Sequence, residues 1–320
     1  GRRFVRRSRE VFQKTPWGSM GVKSFDYDND GDFDLFISDM HSDMSEDVGP
    51  FDEKLKANMR YSNDFLASGS NSIFGNAFYR NDGAGSYAEI SDDIGAENYW
   101  PWGLSVSDLN ADGYEDVFLA SSMNYPFRYG VNTLLVNDEG STFRNAEYIL
   151  GVEPRKGRRT TKAWFSLDCD GADKKHDRCE GQTGMIEVWA AVGSRSSVIF
   201  DIEGDGDLDI ITNEFNSQPQ IFVSDLSEKR KISFLEVKLL GVTSNRSGIG
   251  AVVSVKVGDR FYWKANDGQS GYLSQSDMPL YFGLADAIAV DEIVVTWPSG
   301  TEQTVRGPIE INRRIEIKEE

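Results

Sequence analysis

Three nine-residue stretches carry most of the chemistry open to this chain. The first runs Asp26, Tyr27, Asp28, Asn29, Asp30, Gly31, Asp32, Phe33, Asp34. The spacing D-x-D-x-D-G-x-x-D sets side-chain oxygens at positions 1, 3, 5 and 9 around one point. Glycine at position 6 permits the sharp turn, and the carbonyl of Asp32 at position 7 adds one more oxygen. Hard oxygen donors in a flexible loop are what calcium takes. The second stretch supplies Asp108, Asn110, Asp112, the carbonyl of Tyr114, and Asp116. The third supplies Asp201, Glu203, Asp205, the carbonyl of Asp207, and Asp209. Carboxylates converging without a cation repel one another, so three Ca2+ sites are expected. Asn110 is neutral, and the second loop is therefore expected to bind most weakly.

An EF-hand would need a bidentate Glu at position 12 and a helix on each side. Position 12 here is Ile37, Leu119 and Thr212, and the residues that follow position 9 read LFIS, VFLAS and IIT. Those are strand sequences. A plain acidic β-turn would account for one such loop, but three copies at matching places in a repeat speak against it.

The elements that must position the loops repeat with them. The loops begin at Asp26, Asp108 and Asp201, so they stand 108 − 26 = 82 and 201 − 108 = 93 residues apart. Each has a β-rich lead-in and an apolar strand behind it. FYRNDGAGSYAEIS from Phe78 matches LLVNDEGSTFRNAE from Leu134 as strand, Asn-Asp turn with Gly, strand. The opening GRRFVRRSREVF reads as the tail of the same unit. Pro-Trp-Gly precedes the loop at Pro16 and again at Pro101; Trp17, Trp100 and Trp102 are expected in the blade core, with sugar stacking as the other reading, because Trp17 and Trp102 recur in register. Insertions at 41–72 and 148–192 stretch the units; FDEKLKANMR in the first has helix-forming composition, and the second reads as a hairpin. Repeats of this kind bury their faces only by stacking on one another. The reading is all-β, with propeller blades over residues 1–230 and a compact β-sandwich over 231–320. A closed propeller takes about four to eight blades, so a partial ring, or blades lost from the amino terminus, is expected.

The formal charge of −18 repels phosphate backbones and anionic membranes. Nucleic acid is accordingly not expected as a partner, and cations are. No run of 18 or more apolar residues is present, so no transmembrane segment is expected. The chain starts at Gly1 without Met, as expected of a processed or truncated terminus. Cys169 and Cys179 are the only cysteines. Their spacing suits a local disulfide in an oxidising compartment, with two free thiols as the alternative. Of the two histidines, His41 lies near Asp39, Asp43 and Asp47. That cluster reads as an exposed acidic loop, or as a metal or acid–base group.

The acidic loops with their LFIS-type strands resemble FG-GAP/VCBS repeats, which form calcium-binding β-propellers. LEVKLLGVTSNRSGIGAVVSV, GYLSQSDMPLYFGLADA and VDEIVVTWPSGTEQTV resemble the ASPIC and UnbV domain, as found in the cartilage acidic protein family. The resemblance implies a secreted or cell-surface protein, or a periplasmic one in a bacterium. It implies adhesion or scaffolding toward a protein or glycan partner, as a possible subunit of a larger assembly. Calcium propellers with similar repeats that are polysaccharide lyases or sugar dehydratases keep an enzymatic alternative open, but fold does not decide function. No catalytic residue is assigned.

Overall fold

The computed structural model describes residues 3–12, 14–40, 72–73, 75–98, 100–121 and 129–320. His41, Asp43, Asp47 and the FDEKLKANMR segment lie outside the described residues, whereas Asp39 of that cluster is buried.

Short apolar runs joined by glycine-containing turns produce three antiparallel meanders. β1 (Thr15–Pro16) leads into β2 (Ser19–Phe25) and β3 (Asp34–Asp39). After β4 (Ser72–Ile73), which pairs in parallel with β1, come β5 (Ala77–Asn81) and β6 (Tyr87–Glu89). The first blade is the sheet β2-β3-β5-β6. β7 (Pro101–Ser107), β8 (Asp116–Ser121), β9 (Thr133–Asp138) and β10 (Thr142–Asn145) form the second in the same order. A hairpin of β11 (Thr161–Asp168) and β12 (Met185–Ala191) follows, closed by the disulfide Cys169–Cys179. β13 (Gly193–Phe200), β14 (Asp209–Phe215) and β15 (Gln220–Phe222) form the third blade.

The blades stack through the two faces of their strands. β8 reads DVFLAS and is buried along its whole length. Successive side chains on a strand point to opposite faces. Val117 and Leu119 pack with Phe25, Tyr27, Phe36 and Phe78 of the first blade. Phe118 and Ala120 pack with Ile210 of the third. A polar residue at any of these four positions would meet a neighbouring sheet instead of water.

The remaining strands build a sandwich. β16 (Phe234–Leu240), β17 (Val252–Val257), β18 (Arg260–Ala265), β19 (Leu280–Gly283), β20 (Val290–Thr296), β21 (Glu302–Ile309) and β22 (Arg313–Lys318) pair as β19-β16-β22 and β18-β17-β20-β21. Leu235, Val237, Val253, Val255, Phe282, Ile293, Val295 and Trp297 fill the space between the two sheets. The all-β, propeller-type architecture with a C-terminal sandwich is therefore the one read from the sequence. No helix among the described residues is long and apolar enough to cross a membrane, which leaves β-barrels aside.

One expectation is corrected. Trp17 stands 26 − 17 = 9 residues before its loop and Trp102 stands 108 − 102 = 6 before its own, so they are not equivalent. Met20 is the residue matched to Trp102. The ladder shifts register between Ser19 and Gly21, between Pro101 and Gly103, and between Ser194 and Ser196. Met20, Trp102 and Arg195 are thus the bulged residues of the three inner strands. Trp17 is 55% exposed, outside the core. Trp102 is held between the Arg195 guanidinium, 3.8 Å above its ring, and Tyr272, 5.2 Å away.

Candidate metal centres

Each acidic loop is the connection between the first and second strands of a blade. Phe25 pairs with Asp34, Ser107 with Asp116, and Phe200 with Asp209. Position 9 is therefore both the last loop residue and the first residue of the next strand. The loop is shaped by its own carboxylates. Asp26 accepts from the N–H groups of Asp30 (3.1 Å) and Gly31 (3.0 Å). Asp108 does so from Asp112 (3.1 Å) and Gly113 (2.7 Å), and Asp201 from Asp205 (3.3 Å) and Gly206 (2.8 Å). The glycines carry φ of +91°, +98° and +96°, the left-handed region that disfavours any side chain.

The position-9 carboxylate works as a staple with two arms. One oxygen accepts from the N–H of position 2: Tyr27 (3.2 Å), Leu109 (2.9 Å) and Ile202 (2.7 Å). The other reaches an N–H within two residues of the end of the third strand: Asn81, Asn137 and Ser224, each at 2.8 Å. Sequence reasoning read the Asn-Asp pairs at these places only as hairpin turns. Asn137 does more, since its side-chain amide donates to the carbonyls of Tyr27 (2.8 Å) and Glu115 (3.2 Å) and ties the first loop to the second. The recurrence of Asn-Asp at Asn81 and Asn137, and of Ser-Asp at Ser224, was the available signal.

The loops differ in what converges. In the first, Asp26, Asp28 and Asp34 each bring an oxygen within 4.8 Å of the others, the one such group among the described residues. Asp28 Oδ1 is buried there and has no hydrogen-bond partner among the described residues. Asp30 takes the Asp32 N–H at 2.8 Å and is exposed. Burial, with the charges of Asp28 and Asp30, pushes the Asp26 carboxyl up to about 7 against the pull of the Gly31 and Asp30 N–H groups. Burial likewise lifts Asp34 to about 7 despite the N–H groups of Asn81 and Tyr27. Such carboxylates lack a counter-charge, and three hard oxygens with one unpartnered fit a calcium ion.

In the second loop the Asn110 amide donates to Asp112 at 2.8 Å, and its carbonyl oxygen accepts the Asp112 N–H at 3.0 Å. Asp108 and Asp116 are 2% and 0% exposed. Burial raises both carboxyls; the Asp112 charge adds to it at Asp108, and the Asp108 charge at Asp116. In the third loop Glu203 is exposed. Asp205 takes the Ser227 hydroxyl at 2.6 Å and Asp207 the Ser227 N–H at 2.7 Å. Those two side chains are thereby directed at the chain after β15. Burial raises the Asp209 carboxyl.

The sequence matches two family models: an FG-GAP-like repeat over residues 62–119, and ASPIC and UnbV over residues 241–320. No curated protein matches it. A solved structure titled as an exotype rhamnogalacturonan lyase YesX aligns at 13% identity and a TM-score of 0.22, over 92% of this chain and 48% of that one. The chain thus spans about half the length of that structure, and a likeness at this level carries no argument about fold or chemistry. The repeat model contains the second acidic loop, and the other model covers the sandwich from the end of β16 onward. The protein joins an FG-GAP-like repeat to an ASPIC and UnbV domain.

Proposed function

We propose that the chain is a calcium-binding repeat protein of the extracellular space, acting as a scaffold or adhesion module toward a protein or glycan partner. Calcium is structural on this reading. It neutralises the loop carboxylates and holds each blade's first connection in place. The supporting observation is the convergence of Asp26, Asp28 and Asp34 with one Asp28 oxygen buried and unpartnered. Asp26, Asp28, Asp30, Asp34 and the Asp32 carbonyl would hold the first ion. Asp108, Asn110, Asp112, Asp116 and the Tyr114 carbonyl would hold the second. Asp201, Glu203, Asp205, Asp209 and the Asp207 carbonyl would hold the third. The disulfide Cys169–Cys179 fits an oxidising compartment.

Calorimetric titration of calcium into the metal-stripped full chain tests the proposal. Three sites are expected, and Asp28→Asn weakens the first about tenfold, since ligand charge tunes affinity in such loops. A chain that binds no calcium at millimolar concentration overturns it.

A further inference from the structure

Position 6 of every acidic loop meets an aromatic side chain of the sandwich. A Cβ on Gly31 would lie 3.3 Å from Trp263 Nε1, one on Gly113 2.5 Å from Tyr262, and one on Gly206 2.2 Å from Phe234. Trp263 and Tyr262 are neighbours on β18, and Phe234 opens β16 and stacks on Tyr281 at 5.5 Å. The contact is reinforced through loop backbone. The Tyr281 hydroxyl donates to the Gly206 carbonyl at 2.9 Å and the Ala285 N–H to the Ala111 carbonyl at 3.1 Å. Arg230, just ahead of the sandwich, donates to the Asn110 carbonyl. Gly283 seats directly on the second loop's first ligand, where a Cβ would fall 1.8 Å from Asp108 Oδ2. Two ion pairs flank the seam: Lys264 with Glu115, and Lys23 with Asp267 at 2.7 Å.

The same three glycines donate their N–H groups to the position-1 carboxylates, at 3.0, 2.7 and 2.8 Å. One residue in each loop thus faces the ion ligands on one side and the sandwich on the other. We propose that the C-terminal sandwich is a lid on the calcium loops, docked through their position-6 glycines, so that ion binding and lid docking strengthen each other. The inference rests on the calcium reading above. Without the ion, repulsion among the carboxylates loosens the turn that presents each glycine, and the aromatic seats are lost. Coupling of this kind is reciprocal. A displaced lid weakens ion binding although it supplies no ligand. At the second loop the ion leaves only when the lid lifts, because the buried Asp108 carboxylate lies directly against Gly283.

Hydrogen exchange on the full chain tests the coupling. Two amides report docking directly: Ala285 N–H, bonded to Ala111, and Gly271 N–H, bonded to Leu104 at 3.0 Å. Val253, inside the sandwich core, reports the fold of the lid itself. Stripping calcium with a chelator is expected to speed exchange at Ala285 and Gly271 about tenfold or more while Val253 holds, a coupling in the usual range for linked sites. Trp263→Ala is expected to weaken calcium binding at the first loop by about fivefold. Asp267→Asn, which removes a partly exposed ion pair and leaves both cores intact, is expected to weaken it by a smaller factor. If calcium binds but the two amides exchange alike with and without it, and both variants bind normally, the lid coupling is wrong and the calcium reading stands. If no calcium binds, both fall.

Discussion

Two carboxylate environments in this molecule have opposite character. Asp26 accepts two backbone N–H groups, and its carboxyl is still pushed up to about 7, because burial and the acids beside it outweigh those bonds. Glu319, at the other end of the chain, accepts the N–H groups of Val242, Thr243 and Ser244 at 2.7, 2.8 and 2.7 Å. The hydroxyls of Ser244 and Ser299 add two more bonds at 2.8 and 2.7 Å. Burial pushes Glu319 up as well, but these donors hold it down to about 2. Five donors on one carboxylate make a finished anion site. Two donors amid other acids leave a carboxylate without a matching positive charge. The difference separates an acid that closes a fold from acids that the proposed reading assigns to an ion, and composition alone does not show it.

That contrast can be broken most forcefully by removing calcium. With sites near 0.1 mM and calcium near 1 mM, the three proposed sites would together contribute about 4 kcal/mol. The contribution depends on pH in a defined direction. Asp26 and Asp34 hold protons in the folded chain up to about 7, whereas their ordinary value is 3.8. Between those limits the native state binds more protons than the unfolded one, so metal-free stability falls as pH rises. Calorimetric melting with and without a chelator should show a larger calcium effect near about pH 8 than near about pH 5. Equal melting temperatures with and without chelator would remove the structural role.

The next effect is local to one loop. Asp34→Ala strips both arms of a staple and leaves the Tyr27 and Asn81 N–H groups unpaired. A loss of about 3 kcal/mol in urea unfolding is expected, and it should persist in chelator. Asp34→Asn, which keeps an acceptor, should recover part of it.

Glu319→Gln sharpens the comparison from the other side. It should lower the melting temperature at neutral pH while leaving calcium binding unchanged. The Glu319 contribution is present above its ordinary value of 4.5 and fades as pH falls toward about 2, opposite to the loop acids. The wild-type and Gln melting curves should therefore converge in acid.

The smallest expected effect is in the loops themselves when the disulfide is removed. Cys179→Ser frees a hairpin whose own small cluster is Leu167, Cys169, Cys179 and Val188. It should cost the hairpin about 2–3 kcal/mol and leave calcium affinity where it was. A shift in affinity would mean that the hairpin bears on the blades.

The sequence made the blades legible wherever a local rule determined them. Short continuous apolar runs gave β3, β8 and β14, and glycine at position 6 gave the turn. The FYRND and LLVND segments gave the hairpins β5–β6 and β9–β10. The misplacement of Trp17 came from counting Pro-Trp-Gly as the repeat landmark when the bulge is the conserved geometry across the three blades. The lid was not legible, because Trp263, Tyr262 and Phe234 find their glycines across about 30 to 230 residues of sequence, through packing that no local pattern encodes. Glu319 was missed for the same reason, since its backbone donors lie on a loop 75 to 77 residues earlier.

The position-9 staple also bears on where this chain tolerates extra sequence. Its long arm spans 47 residues in the first blade, 21 in the second and 15 in the third. Loop-closure entropy grows only with the logarithm of length, so the longest span costs about 1 kcal/mol more than the shortest. Two hydrogen bonds on one carboxylate are enough to offset that. The connection between the second and third strands is thus a permissive port, where a blade can carry an additional segment of its own while the sheet on either side stays the same.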